Sequence, residues 1–136
     1  MQPAREQILI INDEPLVLEM FECFFRRENF EVYVTCSACR AVDLVKICSF
    51  SYIICDVDIG GENGIDLLEK IQKLGQSPQL FALSESPSMF EMLRAKKLQI
   101  TYLSKPVSLE HLSQSIQDRQ RENFHYNENN NTIAEN

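Results

Sequence analysis

The sequence predicts an α/β fold in which a five-stranded parallel sheet is doubly wound, with helices on both faces. Three observations predict this class. Short apolar runs alternate along the chain with segments whose apolar residues recur at helical spacing. The runs are apolar throughout, which is typical of strands covered on both faces. The 136 residues have the length of one domain, and regular strand–helix alternation implies right-handed crossovers between parallel strands.

The first two strands are each followed by a helix start signal. The apolar run at residues 8–11 predicts the first strand, and Pro15 suits the first turn of the next helix. We expect five side chains of that helix to face inward: Val17, Met20, Phe21, Phe24 and Phe25. Residues 31–36 are rich in β-branched and aromatic residues and predict the second strand, after which Ser37 can cap the second helix.

The third, fourth and fifth strands follow the same scheme. Residues 52–55 predict the third strand, and a glycine-rich turn leads to a helix that ends near Gly75. Residues 79–83 predict the fourth strand, after which Ser86-Pro87 is expected to begin the fourth helix. Residues 100–103 predict the fifth strand.

The end of the chain is predicted to be helical and then unstructured. A last helix is expected from Ser108 to about Arg121. Residues 123–136 are rich in Asn and Glu and poor in apolar residues, so we predict a disordered tail there and a domain of residues 1–122.

Composition excludes several classes of protein. The net charge of −7 argues against nucleic-acid binding by this domain, which would need a basic face. No apolar run approaches the roughly 18 residues of a membrane span, and the N-terminus lacks the apolar core of a signal peptide. Five cysteines are an odd number, and reduced thiols in a cytoplasmic protein are the simplest interpretation.

Polar residues that could carry chemistry concentrate just after the predicted strands. They are Asn12, Asp13 and Glu14 after the first strand, Asp56 and Asp58 after the third, Ser84 and Glu85 after the fourth, and Ser104-Lys105-Pro106 after the fifth. Ligands of open parallel sheets gather at the carboxyl ends of the strands. We therefore expect these residues to form one site.

The residue types at this edge suit phosphoryl chemistry. Closely spaced carboxylates can hold Mg²⁺, which prefers oxygen ligands. When a metal ion and a lysine neutralise the phosphoryl oxygens, a remaining carboxylate can attack the phosphorus and form an aspartyl-phosphate. A hydroxyl such as that of Ser84 can then donate a hydrogen bond to the transferred group.

Four stretches resemble the receiver domain of two-component response regulators. They are "ILIINDEP", "CDVDIGGENG", "ALS" and "YLSKP", and the resemblance extends over about residues 7–118. It implies the flavodoxin-like (βα)5 fold of that family. It also implies a signalling module that is not an enzyme in the usual sense.

The resemblance implies a role for each of seven residues. Asp56 would be the phosphoacceptor and a metal ligand, Asp13 the main ligand of Mg²⁺, and Asp58 a ligand through its backbone carbonyl. Asn12 would act on the metal indirectly. Ser84 would be the switch hydroxyl, Tyr102 the aromatic switch, and Lys105 the cation that contacts the phosphate; the Lys105-Pro106 bond would be cis.

The resemblance also implies the partners. A histidine kinase or a histidine phosphotransfer protein would supply the phosphoryl group to Asp56. Phosphorylation would then change the face of the fourth helix and fifth strand, where a downstream protein binds. A homodimer through the fourth helix, fifth strand and last helix is a further expectation.

The sequence departs from the family pattern at four places. Asn12 stands where the family usually has Asp, Gly60 replaces the usual proline, and Glu85 follows Ser84 where a small residue is usual. The stretch before Tyr102 also lacks the usual Gly-Ala. We expect Asn12 to weaken metal binding and Glu85 to repel the incoming phosphoryl group.

Two alternatives stay open at this point. The departures at Asn12 and Glu85 are compatible with a docking module that works without phosphorylation. The stretch "IICDVDIGG" also resembles the signature of haloacid-dehalogenase-type phosphatases, in which Asp56 would be the nucleophile and Asp58 the acid/base. That signature comes third here instead of first, and no acidic cluster follows Lys105, which counts against the phosphatase.

Overall fold

The computed structural model describes residues 4–118, which we treat as two units, residues 4–106 and 107–118. The first unit contains five main strands: β1 (Gln7–Ile11), β2 (Glu31–Thr35), β3 (Tyr52–Asp56), β4 (Gln79–Ser84) and β5 (Thr101–Ser104). It also contains four helices: α1 (Pro15–Arg27), α2 (Ala38–Ile47), α3 (Gly64–Gln72) and α4 (Met89–Lys97). The five strands lie where the sequence predicts them.

The strands form one parallel sheet in the order β2-β1-β3-β4-β5. The predicted doubly wound α/β class is confirmed. After β1 the chain adds β2 on one side of the sheet and then β3 on the other, so the winding reverses between β1 and β3. A crevice forms at the carboxyl ends of the strands at such a reversal, which is the usual ligand position of these sheets.

Alternation along the strands directs two sets of side chains to opposite faces. Leu9, Ile53 and Leu80 join a core cluster with buried residues of α2 and α3. The opposite face meets α1 through a chain of aromatic rings. The centroids of Phe25 and Phe30 are 5.7 Å apart, and those of Phe30 and Tyr52 are 5.8 Å apart. Helices therefore cover both faces of the sheet.

Some predicted helix signals are confirmed and others are wrong. Pro15 is the first residue of α1, and the Ser37 hydroxyl accepts a hydrogen bond from the Arg40 N–H at the start of α2. Met20, predicted to face inward, is 58% exposed, because Leu18 takes the inward position on α1. Ser86-Pro87 does not begin α4 either. Ser88 is the cap, because its hydroxyl accepts the Glu91 N–H.

A short hairpin that the sequence analysis did not predict lies between β3 and α3. Its strands, Asp58–Ile59 and Glu62–Asn63, are antiparallel. Gly60 and Gly61 form the turn with φ values of 56° and 89°. Two successive positive φ values are those of a type I′ turn, whose twist suits a two-residue hairpin. We call residues 58–63 the loop hairpin.

The second unit contains a helix over residues 109–118. The Ser108 hydroxyl accepts the His111 N–H at 3.0 Å, which confirms the predicted start of this helix. The predicted helix end near Arg121 and the predicted tail of residues 123–136 lie outside the described residues, so the domain boundary at residue 122 stays a prediction. Among residues 4–118, no helix has the length and apolar composition required to cross a bilayer.

Candidate functional site

A cleft of about 310 Å³ opens at the carboxyl ends of β1, β3, β4 and β5. Five of the residues predicted from the sequence line it: Asp13, Asp56, Asp58, Ser84 and Lys105. Asn12 and Tyr102, the other two, do not. Glu14, Glu85 and Glu91 add three more carboxylates to the lining, so Lys105 faces an excess of negative charge.

Asp56 lines the cleft and ends the fully buried strand β3. Its side chain is only 8% exposed. The Lys105 ammonium donates a hydrogen bond of 2.9 Å to Oδ2, and Nζ also lies 2.7 Å from Oδ1. Only the contact with Oδ2 has hydrogen-bond geometry, so within the described chain Oδ1 is a buried acceptor without a hydrogen-bond donor. The ion pair contacts both oxygens, but Oδ1 can still accept a further cationic partner.

The surroundings of Asp56 disfavour its charged form. Burial raises the pKa of this carboxyl, and the hydrogen bond and charge of Lys105 oppose the rise. The carboxylates of Asp13 and Glu85 raise the pKa further. A cation in the cleft would relieve this excess of negative charge.

Lys105 is held in position by the pairing of β4 with β5. Its N–H donates to the carbonyl of Ser84 at 2.8 Å, which extends the sheet by one residue. The Lys105-Pro106 peptide bond is cis, as predicted. Glu85 lies at the same end, and its Oε1 is 3.8 Å from the Lys105 ammonium on a side chain that is 75% exposed. Asp56 and Glu85 therefore share one lysine.

The residues that follow β1 are turned in different directions. Asn12 is buried, and its side-chain oxygen accepts the Glu14 N–H at 2.9 Å in the turn that begins α1. Asp13 is exposed to the cleft, and its Oδ2 accepts the Gly60 N–H at 3.2 Å. Asn12 therefore has a structural hydrogen bond, while Asp13 presents a charged carboxylate to the cleft.

The oxygen atoms of the cleft suit a divalent cation. Asp13 and Asp56 supply carboxylates, and Oδ1 of Asp56 has no hydrogen-bond donor. The Asp58 carboxylate accepts the Gly61 N–H at 3.2 Å, which leaves the main-chain carbonyl as its predicted contribution. Within residues 4–118, no three His, Cys, Asp or Glu side chains form a metal-binding group. The predicted metal ligands do not require such a group, because they are only two side chains, Asp13 and Asp56, and the main-chain carbonyl of Asp58.

Tyr102 lies beside the cleft and is linked to α4. Its hydroxyl donates to Oε1 of Glu91 at 2.7 Å and accepts the Ser88 N–H at 3.4 Å. Burial raises the pKa of Tyr102, a side-chain contact with Ser84 lowers it, and the hydrogen bond to Glu91 raises it again. Tyr102 thus lies between the Ser84 hydroxyl at the end of β4 and the first turn of α4.

Two residues that lie against the main-chain oxygen of Asp56, Gly64 and Cys55, were not predicted from the sequence. A Cβ atom added at Gly64 would lie 1.9 Å from the main-chain oxygen of Asp56, so only glycine fits there. The buried Cys55 thiol donates to the same oxygen at 3.2 Å, and burial raises its pKa well above the usual range, so it stays protonated. The sequence does contain a signal for Gly64: glycine is a poor helix former compared with alanine, so a glycine at the start of a helix indicates a special requirement at that position.

Comparison with known proteins agrees with this geometry. The family model of the response regulator receiver domain matches residues 8–117. The DNA-binding response regulator MtrA of Mycolicibacterium smegmatis is 24% identical over 123 residues, which are 90% of this chain and 54% of that protein. The chain therefore spans about half the length of this relative.

Solved structures share the fold at low sequence identity. A CheY-like receiver domain protein from Methanospirillum hungatei has a TM-score of 0.82 and 22% identity, covering 88% of this chain and 96% of that one. A response regulator protein from Burkholderia pseudomallei has a TM-score of 0.74 and 20% identity, covering 85% and 72%. That structure is described with a phosphorylated aspartic acid, a calcium ion and citrate. Because the family model matches most of its length, the chain belongs to the family of response regulator receiver domains.

Proposed function

We propose that this protein is a cytoplasmic receiver module that accepts a phosphoryl group on Asp56 from a histidine kinase or a histidine phosphotransfer protein. The observation that carries the proposal is the buried Asp56 carboxylate, which ends β3 with Lys105 on one side and the Asp13 carboxylate in the same cleft. In this proposal the chain is a signalling module, and its net charge of −7 argues against nucleic-acid binding by this domain.

The transfer is a nucleophilic substitution at phosphorus. A carboxylate oxygen of Asp56 attacks the phosphorus of a phosphohistidine, a P–O bond forms, and the P–N bond to the imidazole breaks. The released imidazole nitrogen takes a proton from solvent. The cleft must therefore stabilise the negative charge of the phosphoryl oxygens during the transfer.

Asp13, Asp56 and the carbonyl of Asp58 are the residues that would hold Mg²⁺, with Asn12 acting only through the turn that it supports. Bound Mg²⁺ would neutralise charge on the phosphoryl oxygens. The excess of carboxylates in the cleft and the donor-free Oδ1 of Asp56 support this assignment. The Burkholderia pseudomallei protein, with its phosphorylated aspartate and calcium ion, is a relative in which both groups occur together.

Lys105 and Ser84 would contact the transferred group. The Lys105 ammonium already lies within 2.9 Å of both Asp56 oxygens, so a short movement would bring it to a phosphoryl oxygen. Ser84 is buried at the cleft wall, where its hydroxyl could donate to the same group.

Phosphorylation would be transmitted through Ser84, Tyr102 and α4. When Ser84 turns to the phosphoryl group, its contact with Tyr102 changes, and the Tyr102–Glu91 hydrogen bond links that change to α4. The exposed apolar side chains of α4 are a surface for a downstream protein or a second copy of the chain: Met89, Phe90, Met92 and Leu93.

A docking module that works without phosphorylation is the second candidate. Two observations favour it: the Asn12 side chain is used in its own turn, and Glu85 shares Lys105 with Asp56. The phosphatase alternative receives no support from the family match, which assigns residues 8–117 to the receiver domain.

Chemical phosphorylation separates the two candidates. The full chain is incubated with acetyl phosphate and Mg²⁺, and its intact mass is compared with that of Asp56→Asn. We expect the wild type to gain one phosphoryl group and the variant to gain none. No gain in the wild type, with or without a phosphorylated phosphotransfer protein as donor, would favour the docking module.

The same assay tests the role of Glu85. Removing its charge by Glu85→Gln or Glu85→Ala should raise the phosphorylation rate about twofold to fivefold, the range expected for one exposed charge. Glu62→Gln, on the exposed loop hairpin and outside the cleft, is the matched control. An unchanged rate in both Glu85 variants would show that this carboxylate does not obstruct the reaction.

A further inference from the structure

The loop hairpin is anchored at its base and reaches the cleft with its tip. At the base, the Gly64 N–H donates to the carbonyl of Val57 at 2.6 Å. Ile59 is 2% exposed and belongs to the core cluster on the side of α2 and α3. The hairpin is therefore a structured arm whose position is set by the core.

The tip of this arm contacts Asp13. The Gly60 N–H donates to Oδ2 of Asp13 at 3.2 Å, which joins residues 47 positions apart in the chain. The Gly61 N–H donates to Oδ1 of Asp58 at 3.2 Å and holds the turn closed. A proline at position 60 would have no N–H to donate, so this contact depends on the residue that departs from the family pattern.

We propose that the Gly60 main-chain N–H positions the Asp13 carboxylate for metal binding, an inference that rests on the proposed function. The hydrogen bond engages Oδ2, and among the described residues no donor contacts Oδ1 of Asp13, which is left for the cation. Hydrogen bonds from surrounding groups orient carboxylate ligands, and their loss commonly weakens metal binding about tenfold or more. Because Asn12 contributes no negative charge to the cleft, binding of the cation depends more strongly on how the Asp13 carboxylate is oriented.

The arrangement couples the loop hairpin to the metal. Asp13 contacts the tip of the hairpin with one oxygen and would hold the cation with the other. A bound cation restricts rotation of the Asp13 side chain, which favours the Gly60 hydrogen bond, and by reciprocity this bond favours the cation. Mg²⁺ should therefore slow amide hydrogen exchange at Gly60.

The first test compares three substitutions in the turn. Gly60→Asn keeps the N–H and suits the positive φ of a type I′ turn. Gly60→Pro removes the N–H but also distorts the turn, because the proline ring holds φ at about −65°. Gly61→Pro distorts the same turn and keeps the Gly60 N–H, so it is the control. With the full chain and Mg²⁺ alone, titration calorimetry should show about tenfold weaker binding for Gly60→Pro and a clearly smaller loss for Gly61→Pro and Gly60→Asn. Equal losses in the two proline variants, or no loss in Gly60→Pro, would overturn the proposal.

The second test needs no metal and changes the other partner. Asp13→Ala removes the acceptor, while Asp13→Asn keeps an oxygen acceptor without the charge. We expect amide exchange at Gly60, followed by NMR, to be about fivefold faster in Asp13→Ala and nearer to wild type in Asp13→Asn. An unchanged rate in Asp13→Ala refutes the inference whether or not the protein binds Mg²⁺. Faster exchange in Asp13→Ala together with a wild type that binds no Mg²⁺ would leave the Gly60–Asp13 contact in place and overturn the metal site of the proposed function.

Discussion

Gly64 shows how one residue can determine where a reactive group lies. It begins α3 directly behind the end of β3, and the Asn63 side chain caps the helix by accepting the N–H groups of Ile65 and Asp66. The absent side chain allows the helix to touch the main chain of Asp56. The position of the Asp56 carboxylate therefore depends on residue 64 having no Cβ atom.

Gly64→Ala should destabilise the protein and impair phosphorylation of Asp56. The added Cβ would lie 1.9 Å from the main-chain oxygen of Asp56, so strand and helix must separate. We expect the free energy of unfolding in urea to fall by about 3 kcal/mol, the upper part of the range for overpacking. Phosphorylation by acetyl phosphate should slow in the fraction that remains folded.

Gly61→Ala is the matched control for this prediction. Gly61 has a φ of 89°, but no atom lies within 4 Å of an added Cβ. The substitution should cost only about 1–2 kcal/mol, from the strained backbone. Equal effects of the two substitutions would show that the contact with Asp56 is not the cause.

At the scale of the elements, α4 differs from the other helices of the first unit. Ala95 is its one buried residue, whereas α1 buries three residues and α3 buries five. Polar contacts fix α4 instead. Arg94 bridges to Asp66 and Glu69 of α3, and the hydroxyl of Tyr102 donates to Glu91. A helix with little apolar burial can shift at small energetic cost, which suits a switch.

Tyr102→Phe should loosen α4 without unfolding the protein. It removes the hydroxyl that bonds Glu91 and accepts the Ser88 N–H. One hydrogen bond is worth about 1 kcal/mol, so amide exchange over residues 88–99 should become about fivefold faster. Exchange in the strands should stay the same, and hydrogen–deuterium exchange with mass spectrometry reports both.

Tyr33→Phe provides the control for Tyr102→Phe. The Tyr33 hydroxyl also donates to a glutamate, Glu31, at 2.9 Å, but on β2 and far along the sheet from α4. It should leave the exchange of residues 88–99 unchanged. Equal acceleration by both substitutions would contradict a specific tether between Tyr102 and α4.

At the scale of the whole molecule, the acidic cleft opposes folding. Burial raises the pKa of Asp56, so the folded chain holds this proton more tightly than the unfolded chain does. Stability due to this group therefore falls as the pH rises through the pKa of Asp56 in the folded state. On the proposed function, the carboxylates that would hold a cation therefore lower the stability of the protein without it.

Asp56→Asn should consequently stabilise the metal-free protein. Loss of the buried charge should raise the free energy of unfolding at neutral pH, even though Lys105 loses a partner. The gain should shrink as the pH is lowered, because wild-type Asp56 then becomes protonated. Urea unfolding at neutral and acid pH measures both, with Asp43→Asn on the exposed face of α2 as the control.

Mg²⁺ should reduce the difference in the free energy of unfolding between Asp56→Asn and the wild type. A ligand that binds the folded state stabilises the protein, and we expect the wild type to bind Mg²⁺ more tightly than the variant. An Asp56→Asn protein that is less stable than wild type at neutral pH would show that the Lys105–Asp56 pair outweighs the cost of burial.

The amino-acid sequence by itself determined the fold class, the five strands and the residues at their carboxyl ends. These follow from local patterns: continuous apolar runs for the buried strands, Pro15 and Ser37 at helix starts, and the handedness of the crossovers. The strand ends meet at one edge in any parallel sheet, which is why Asp13, Asp56 and Lys105 could be grouped before the structure was known.

Only the tertiary structure decided which side chains face the core and which distant groups meet. It exposed Met20 and brought the Gly60 N–H to Asp13, 47 residues away in the chain. No local pattern encodes these two outcomes, because each depends on what a distant segment brings within a few ångströms. The hydrogen bond of Asn12 with the Glu14 N–H and the cap of α4 at Ser88 are local, and the structure selected them among the short-range contacts that the sequence allows. Strand and helix positions are properties of short segments, whereas the distances that govern chemistry are properties of the packed molecule.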